Sequence, residues 1–366
     1  MTDPAPLPSV RRIERGLDPQ RYTGEAAFAH DRAAVFDRAW LCLGAAAEWP
    51  APGDAAELEQ GGRSLVVIRG DDGVLRAFFN ICPHRAAPLI WPGERRSGLR
   101  ALRCRYHGWR FDPEGALIGA PDFDGARTGL PAGLQGCRLR GLPLREDLGL
   151  VWAWLGAGAP GPLPTEQPAL RDALSGLRLA DWRPRRAASH RLACSWKVYV
   201  ENYLEGYHIP YLHPGLAREL HMEGYAVEAV GDQAVRHLAP TTPGALNEGL
   251  WLWIWPNLAL NVYGAAASLE RMVPIGPEAT RIDYVYLADN TVTDTDLDAL
   301  IAMSARTTAE DQRICEAVHH NLRSGGASAG YLSPRHEAGL GLFHGLLRAA
   351  WASQPPAPAE GALGAP

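Results

Sequence analysis

Two pairs of cysteine and histidine lie close together in the sequence, Cys82 with His84 and Cys104 with His107. Their order is Cys-x-His, then 19 residues, then Cys-x-x-His, which puts two thiolates and two imidazoles on two short loops. Zinc accepts this ligand set, but its usual spacing puts the two cysteines on one arm and the two histidines on the other. A two-iron cluster, with both thiolates on one iron and both imidazoles on the other, fits the mixed order better.

A second group of potential ligands lies in the segment KVYVENYLEGYHIPYLHP, residues 197–214. On a helix, Glu205 and His208 share a face because they are three residues apart. His213 would lie about 140° round from His208 on a continuous helix, so we expect Pro210 to disrupt the helix and let His213 turn back. Two imidazoles and one carboxylate form the facial triad of non-haem Fe(II) oxygenases.

The carboxylate of such a triad is expected in the helix predicted from Asp294 to Asn321. Asp311 lies on its buried stripe, whereas Glu310 lies off it. A carboxylate on a buried face is costly unless a cation or hydrogen bonds compensate. Asp283 and Asp289, on or after a strand, are weaker alternatives. The stripe consists of Leu297, Leu300, Ile301, Ser304, Thr308, Asp311, Cys315, Val318 and Leu322.

The elements around these residues predict an α+β fold. Residues 55–155 show short apolar runs broken by Gly, Pro and Asp, with a hairpin turn at Asp72-Gly73. The Gly- and Pro-rich GAGAPGPLPTEQP then predicts a linker, and a helix is expected around 195–208. WLWIWPNLALNVYG and RIDYVYLAD predict strands of a second sheet. The tail 353–366 is predicted to be disordered.

Composition excludes several classes of protein. The net charge of -5 gives no basic footprint for nucleic acid. The N-terminus lacks the apolar core of a signal peptide, and the most apolar stretch is interrupted by Pro256, Asn257 and Asn261. The six cysteines are too thinly spread for a disulfide framework. We therefore expect a cytoplasmic protein that contacts neither membrane nor nucleic acid.

At this point the sequence resembles a known family. CPHR followed by CRYHGWRFDPEG is similar to the paired cluster loops of Rieske proteins, with Gly108 allowing close backbone approach and Tyr106 and Trp109 as candidates to bond or shield the cluster. The segments YHIPYLHP and AEDQRICEAVHHNL resemble the iron-binding segments of the Rieske non-haem iron oxygenase α subunits. Glu205 and the C-terminal run ICEAVHHNLRSGG…YLSPRHEAGLGLFHGLL are similar to the choline, carnitine and betaine monooxygenase subgroup.

The resemblance implies a domain organisation. Residues 1–44 would pack on the catalytic domain, 45–155 would form an all-β Rieske [2Fe–2S] domain, and 156–352 would form a catalytic domain. That domain would have a curved antiparallel sheet with covering helices, as in helix-grip folds.

The resemblance also implies residue roles. Cys82, His84, Cys104 and His107 would bind the cluster, and His208, His213 and Asp311 would bind mononuclear Fe(II). Glu205 would not be a ligand. It would join His208 to a cluster histidine, His107, of a neighbouring chain in a homotrimer. Asn202 and Tyr207 are candidates to orient an imidazole or line the oxygen site.

The implied function is that of a terminal oxygenase component, which uses O2 and electrons from NAD(P)H to hydroxylate a small organic molecule. Because the chain shows no dinucleotide-binding GxGxxG and no flavin segment, a separate flavin- or ferredoxin-type reductase would supply the electrons. The substrate could be a quaternary ammonium compound or an aromatic ring. A non-catalytic Rieske electron carrier is the remote alternative. Candidate walls of an aromatic cage are Tyr203, Tyr211, Trp253, Trp255, Tyr263 and Phe343.

Overall fold

The computed structural model describes residues 13–125, 130–241 and 249–354. Within these ranges the chain forms twenty strands and seven α-helices, joined by short 3₁₀ and π turns. The predicted tail lies almost entirely outside the described residues, since only residues 353 and 354 of it are included.

Three small sheets account for most of the amino-terminal half. One has five antiparallel strands and another three, in the orders β10-β5-β4-β3-β6 and β11-β12-β2. The hairpin predicted at Asp72-Gly73 forms, with a five-residue loop between β4 and β5, and Gly73 has a φ of 76°. The strands are β2 (Trp40–Ala45), β3 (Ala55–Gln60), β4 (Arg63–Arg69), β5 (Leu75–Phe79), β6 (Arg95–Arg96), β10 (Gly141–Leu142), β11 (Leu144–Asp147) and β12 (Leu150–Trp154).

The third small sheet carries the loop with Cys104 and His107, whereas the loop with Cys82 and His84 lies between β5 and β6 of the five-stranded sheet. Its strands pair antiparallel in the order β7-β8-β9, with bounds Leu102–Arg103, Arg110–Phe111 and Leu117–Gly119. It shares an apolar core with the five-stranded sheet, which contributes Val66 and Ile68, and this core includes Cys82, Cys104 and Trp109. The two loops therefore project from a core that the two small sheets form together.

A seven-stranded antiparallel sheet dominates the carboxy-terminal half, in the order β13-β19-β18-β17-β16-β15-β14. The central strands are buried along almost their whole length because both faces are covered. Alternate residues serve the two faces: Trp253 packs against helices, whereas Leu252 packs into a core on the other side. The strands are β13 (Arg183–Leu192), β14 (Ala226–Ala229), β15 (Ala234–Leu238), β16 (Leu250–Ile254), β17 (Leu258–Tyr263), β18 (Ala266–Gly276) and β19 (Ala279–Ala288).

Helices cover one face of this sheet. The longest, α6, begins after Thr293, whose side chain accepts a hydrogen bond from the backbone N–H of Asp296. A short pairing of β1 (Glu14–Arg15) with β20 (Tyr331–Leu332) ties the amino-terminal segment to the carboxy-terminal half. The helices are α1 (Gly24–Asp31), α2 (Pro168–Ser175), α3 (Trp196–Tyr203), α4 (Ile209–Leu212), α5 (Leu216–Glu219), α6 (Asp294–Arg323) and α7 (Ala338–Ser353).

Two helix predictions need correction. The helix expected at 195–208 ends at Tyr203, and a new helix begins at Ile209. In α6 the buried stripe turns away from Val318, which is 41% exposed, towards His319, which is 2% exposed. The reason is that 3.6 residues per turn allow either position after Cys315, and packing selects one.

Both halves of the chain share one core. Leu41, Val67 and Val151 of the amino-terminal sheets belong to the same buried cluster as Trp196 of α3 and Phe343 of α7. Within the described ranges, no helix is both long and apolar enough to cross a lipid bilayer.

Candidate metal centres and active site

The two Cys/His loops have the same backbone design. The carbonyl of Cys82 accepts from the N–H of Ala86, and the carbonyl of Cys104 accepts from the N–H of Gly108, both at 2.9 Å. Ala86 and Gly108 are equivalent residues of the two turns, and both have positive φ, at 57° and 74°. A Cβ on Gly108 would lie 3.1 Å from Pro121 Cγ, so both the positive φ and this close contact favour glycine here.

The four predicted cluster residues come together at the tips of these loops. The rings of His84 and His107 are 4.6 Å apart, and Trp109 stacks on His84 at 4.8 Å with an interplanar angle of 2°. Both cysteines are 1% exposed. Trp109 therefore covers the group from one side.

The donor set fits a Rieske cluster. The Nδ1 atom of His84 is buried and has no hydrogen-bond partner among the described residues, so it is available to a metal. Burial, with a contribution from Cys104, raises the pKa of the Cys82 thiol to about 11. A thiolate there requires a strong cation beside it, which iron supplies.

The second group also comes together. Nε2 of His213 lies 2.9 Å from Oδ1 of Asp311, and Nε2 of His208 lies 3.8 Å from the same oxygen. One ligand atom from each of the three residues falls within 4.8 Å of the others. His213 and Asp311 are buried, and His208 is partly exposed. The set fits a metal that takes two imidazoles and one carboxylate and keeps open positions.

Each imidazole is held by a second carboxylate on its other nitrogen. Nδ1 of His208 bonds to Oε1 of Glu205, and Nδ1 of His213 bonds to Oε2 of Glu310 at 2.6 Å. These contacts leave both Nε2 atoms directed towards Asp311. Burial lowers the pKa of His213, but the carboxylates of Asp311 and Glu310 outweigh burial and raise it overall. The carboxylates of Asp311 and Glu310 therefore stabilise a positive charge at the place where a metal ion would lie.

Glu310 was missed from the sequence because it lies off the buried stripe of α6. Its side chain is 42% exposed, as expected for that side of the helix, yet it reaches back to His213. Its position directly before Asp311 is the only sequence signal for this contact.

The turn that brings His213 back differs from the expected one. Pro210 lies in the first turn of α4, where its missing N–H costs nothing. The break comes earlier, after Tyr203. There Oε2 of Glu205 accepts from the backbone N–H groups of Tyr207 and His208. Glu205 therefore approaches His208 through a tight turn rather than across a helix face.

The remaining candidates fall in different places. Asn202 Nδ2 donates to Oδ1 of Asp311 at 2.7 Å. The ring of Tyr207 is half-exposed and stacks on His336 at 4.6 Å, on the surface. Asp283 is bound to Arg281 and Ser189, and Asp289 accepts from Thr291 in a turn, so neither joins the group.

A cavity of about 650 Å³, including its mouth, opens beside the three ligand atoms. Its walls are α3, α6 and the helix-covered face of the large sheet. Across the sheet, His237, Trp251, Asn261 and Ser268 are consecutive register partners and form one row. Glu270 lies two residues beyond Ser268 on the same face.

Only two of the six predicted aromatic walls line this cavity, Tyr203 and Tyr263. The other four are corrected by the structure. Tyr211 is 84% exposed, and Trp253, Trp255 and Phe343 pack on one another in the core beneath α7. Sequence reasoning missed the lining residues Tyr199, Tyr225, His237, Trp251, Glu270 and Tyr284.

Comparison with known proteins agrees with this architecture. The Rieske [2Fe-2S] domain family matches residues 39–131, and the ring hydroxylating alpha subunit (catalytic domain) family matches residues 179–353. The chain is therefore an oxidoreductase built from a Rieske domain and a catalytic domain with an antiparallel sheet. It belongs to the Rieske non-haem iron oxygenases, as an oxygenase (α) subunit.

Individual relatives and solved structures show which members of the family this chain is similar to. The carnitine monooxygenase oxygenase subunit of Escherichia coli (strain K12) is 28% identical over 357 residues, covering 89% of this chain and 91% of that protein. The chloroplastic choline monooxygenase of Arabidopsis thaliana is 26% identical over 365 residues, covering 90% and 81%. A crystal structure of a quaternary ammonium Rieske monooxygenase in complex with an inhibitor superposes with a TM-score of 0.83 at 25% identity, covering 95% of this chain and 99% of that chain.

Proposed function

We propose that this chain is the terminal oxygenase of a system that hydroxylates a small quaternary ammonium compound with O2. Cys82, His84, Cys104 and His107 hold the [2Fe–2S] cluster. The electrons originate from NAD(P)H and arrive through a separate flavin- or ferredoxin-type reductase.

The mononuclear iron is held by His208, His213 and Asp311. The observation that carries the proposal is the convergence of these three ligand atoms within 4.8 Å at the cavity. When bound, the iron supplies oxygen activation, and the cluster supplies single electrons. Asn202 holds Asp311 in place, and the carboxylates of Glu205 and Glu310 hold the two imidazoles.

Glu205 is also proposed to connect two copies of the chain. Its side chain is 11% exposed and that of its partner His208 is 21% exposed, so the pair lies just below the surface. His107 is exposed at the tip of its loop. In a homotrimer, Glu205 of one copy would accept a hydrogen bond from His107 of the next and join the two metal sites. The proposal is supported by a solved quaternary ammonium Rieske monooxygenase of the same fold, for which inter-subunit electron transfer is described.

The choice of a quaternary ammonium substrate over an aromatic ring rests on the relatives named above, which are a carnitine and a choline monooxygenase. The cavity agrees with it, since Tyr203, Tyr263 and Trp251 provide aromatic faces of the kind that hold ammonium cations.

Removal of the third ligand tests the iron site. Asp311→Ala should keep the Rieske absorbance, reduce the iron content from three to two per chain, and abolish oxygen uptake with a surrogate reductase. The matched control is Asp289→Ala, which removes a carboxylate from an exposed turn and should keep all three irons. Retention of the third iron in Asp311→Ala would refute the ligand assignment.

A substrate panel tests the reaction. Choline, carnitine, glycine betaine and an aromatic acid are compared by oxygen uptake coupled to product formation. Turnover of at least one quaternary ammonium compound is expected. Turnover of the aromatic acid alone would refute the substrate class, and absence of oxygen uptake in protein with full iron content would favour an electron carrier.

A further inference from the structure

Among the described residues that line the cavity, one carboxylate is used by neither metal site. Glu270 lies in the middle of β18, is 3% exposed and lines the cavity. Its register partners are Ala259 and Tyr284, so its side chain points to the same face as Asn261. Its sequence neighbours point to the other face, where Arg271 bonds to the carbonyl of Leu43.

Glu270 has hydrogen bonds but no cationic partner within the part of the chain that the structure describes. Tyr199 donates to Oε1 at 2.8 Å and Asn261 donates to Oε2 at 3.4 Å. Among the described residues no lysine or arginine forms an ion pair with this carboxyl group, and the neighbouring Arg271 pairs with Asp283 instead. Burial raises its pKa to about 7 in spite of the hydrogen bonds from Tyr199, Tyr284 and Asn261. Buried carboxylates are normally paired with a cation, so this one lacks its usual compensation.

The described surroundings of Glu270 can accommodate a cation, but they do not include a cationic side chain. A carboxylate has about four acceptor sites, and those used here are filled by uncharged donors. Tyr199, Tyr263 and Tyr284 lie around it, and all three line the cavity. The described part of the lining includes no lysine or arginine. A ligand with a positive charge would complete the pair, and the tyrosine rings would contact its apolar substituents.

We propose that Glu270 is the anionic partner of the cationic head group of the substrate. This rests on the proposed function, and it adds the residue that selects for positive charge. The ligand is a quaternary or tertiary ammonium compound whose methyl groups face the tyrosines and whose charge faces the carboxylate of Glu270.

Two unpaired donors further along the sheet suit the other end of such a ligand. Nε2 of His237 and Nε1 of Trp251 are buried without a partner among the described residues. Burial lowers the pKa of His237 to about 3, so the ring is neutral. Because the hydroxyl of Tyr225 can donate to Nδ1, at 2.5 Å, Nε2 can carry the proton. Both atoms then offer an N–H to an oxygen of the ligand.

The test compares the binding of a cation with the binding of an uncharged molecule of the same shape. Choline, tetramethylammonium and the carbon isostere of choline, in which carbon replaces the ammonium nitrogen, are titrated calorimetrically into the iron-loaded protein without oxygen. Wild-type protein should bind choline at least about tenfold more tightly than the isostere. Glu270→Gln should weaken choline about tenfold or more and change the isostere less than about twofold.

The matched control is Glu316→Gln, which removes one charge from α6 outside the cavity. Glu316 accepts from the N–H of Ala193, and its variant should bind all three probes as wild type does. Unchanged choline binding by Glu270→Gln would overturn the inference and leave the proposed function intact. If wild type binds neither cation, both the inference and the quaternary ammonium substrate fail. Should Glu270→Gln not fold, the wild-type ratio decides, because equal affinity for choline and its isostere would overturn the inference.

Discussion

A buried ion pair beneath the active site gives the sharpest stability prediction. Asp31, the last residue of α1, accepts from Trp196 Nε1 at 2.9 Å, from Trp351 Nε1 at 3.0 Å and from Lys197 Nζ. Asp31 and Lys197 are each 1% exposed. This carboxylate joins α1 and α7 to the start of α3, the helix that leads into the iron-binding turn.

Asp31→Asn would leave the ammonium of Lys197 buried without its counter-ion, at a cost of about 3–5 kcal/mol. For a chain of 366 residues the unfolding entropy near Tm is about 0.8 kcal/mol/K, so Tm should fall by about 4–6 °C in a scan of the holoprotein. Lys197→Met should cost less, because Asp31 keeps both indole donors. The control is Asp181→Asn, from the exposed pair Arg178–Asp181, with a shift below about 1 °C.

The order of these three variants is the critical result. If Asp31→Asn shifts Tm no more than Asp181→Asn, the buried pair does not stabilise the fold as described. If Lys197→Met proves the more damaging of the two core variants, the indole donors are not the main partners of Asp31.

Three further predictions concern the site itself. Glu205→Gln should keep both metals but slow single-turnover oxidation of the reduced cluster at least about tenfold. Glu310→Gln changes the carboxylate that bonds to the other iron-binding imidazole and should not slow this step. Equal rates in the two variants would refute the role of Glu205 in joining the two metal sites. Gly206→Ala should lower the free energy of unfolding by about 1–3 kcal/mol, because its Cβ would lie 2.2 Å from a ring carbon of Tyr225. The control is Gly215→Ala, whose Cβ would have nothing within 4 Å. Equal Tm values for the two variants would contradict the clash. Carnitine carries a carboxylate and choline does not, and the described cavity lining has no lysine or arginine to pair with that carboxylate. Choline should therefore show a KM about tenfold below that of carnitine in oxygen uptake. The reverse order of KM values would show that the cavity accommodates a carboxylate.

Both metal-binding groups were predictable in outline because their residues lie in short, chemically distinctive segments. Cys82 to His84 and Cys104 to His107 need only local loops, and the structure brings them together. Gly108 was recognised as a special position. Its equivalent, Ala86, was not, because alanine gives no sequence signal for a φ of 57°. A non-glycine residue there is strained, by roughly 1–3 kcal/mol.

The cavity was much less predictable, since it depends on register between strands that are far apart in sequence. Glu270 lies within ASLERMVPIG, a run that alternates too little to show which face is buried. Both faces of β18 are covered, so polarity does not mark the cavity side. His237 and Trp251 become neighbours only through the pairing of β15 with β16. Tyr211 was predicted as a wall of the cavity, yet its side chain is exposed.

The surroundings of the imidazoles indicate which nitrogen each metal centre would use. At the mononuclear site, carboxylates occupy Nδ1 of both His208 and His213, which leaves the two Nε2 atoms for iron. At the cluster loops, Nδ1 of His84 is buried without a described partner, so this is the nitrogen that iron would take. Ligation through Nδ1 directs Nε2 away from the cluster. If His107 binds in the same way, its Nε2 would face outward, as contact with Glu205 of a second copy requires.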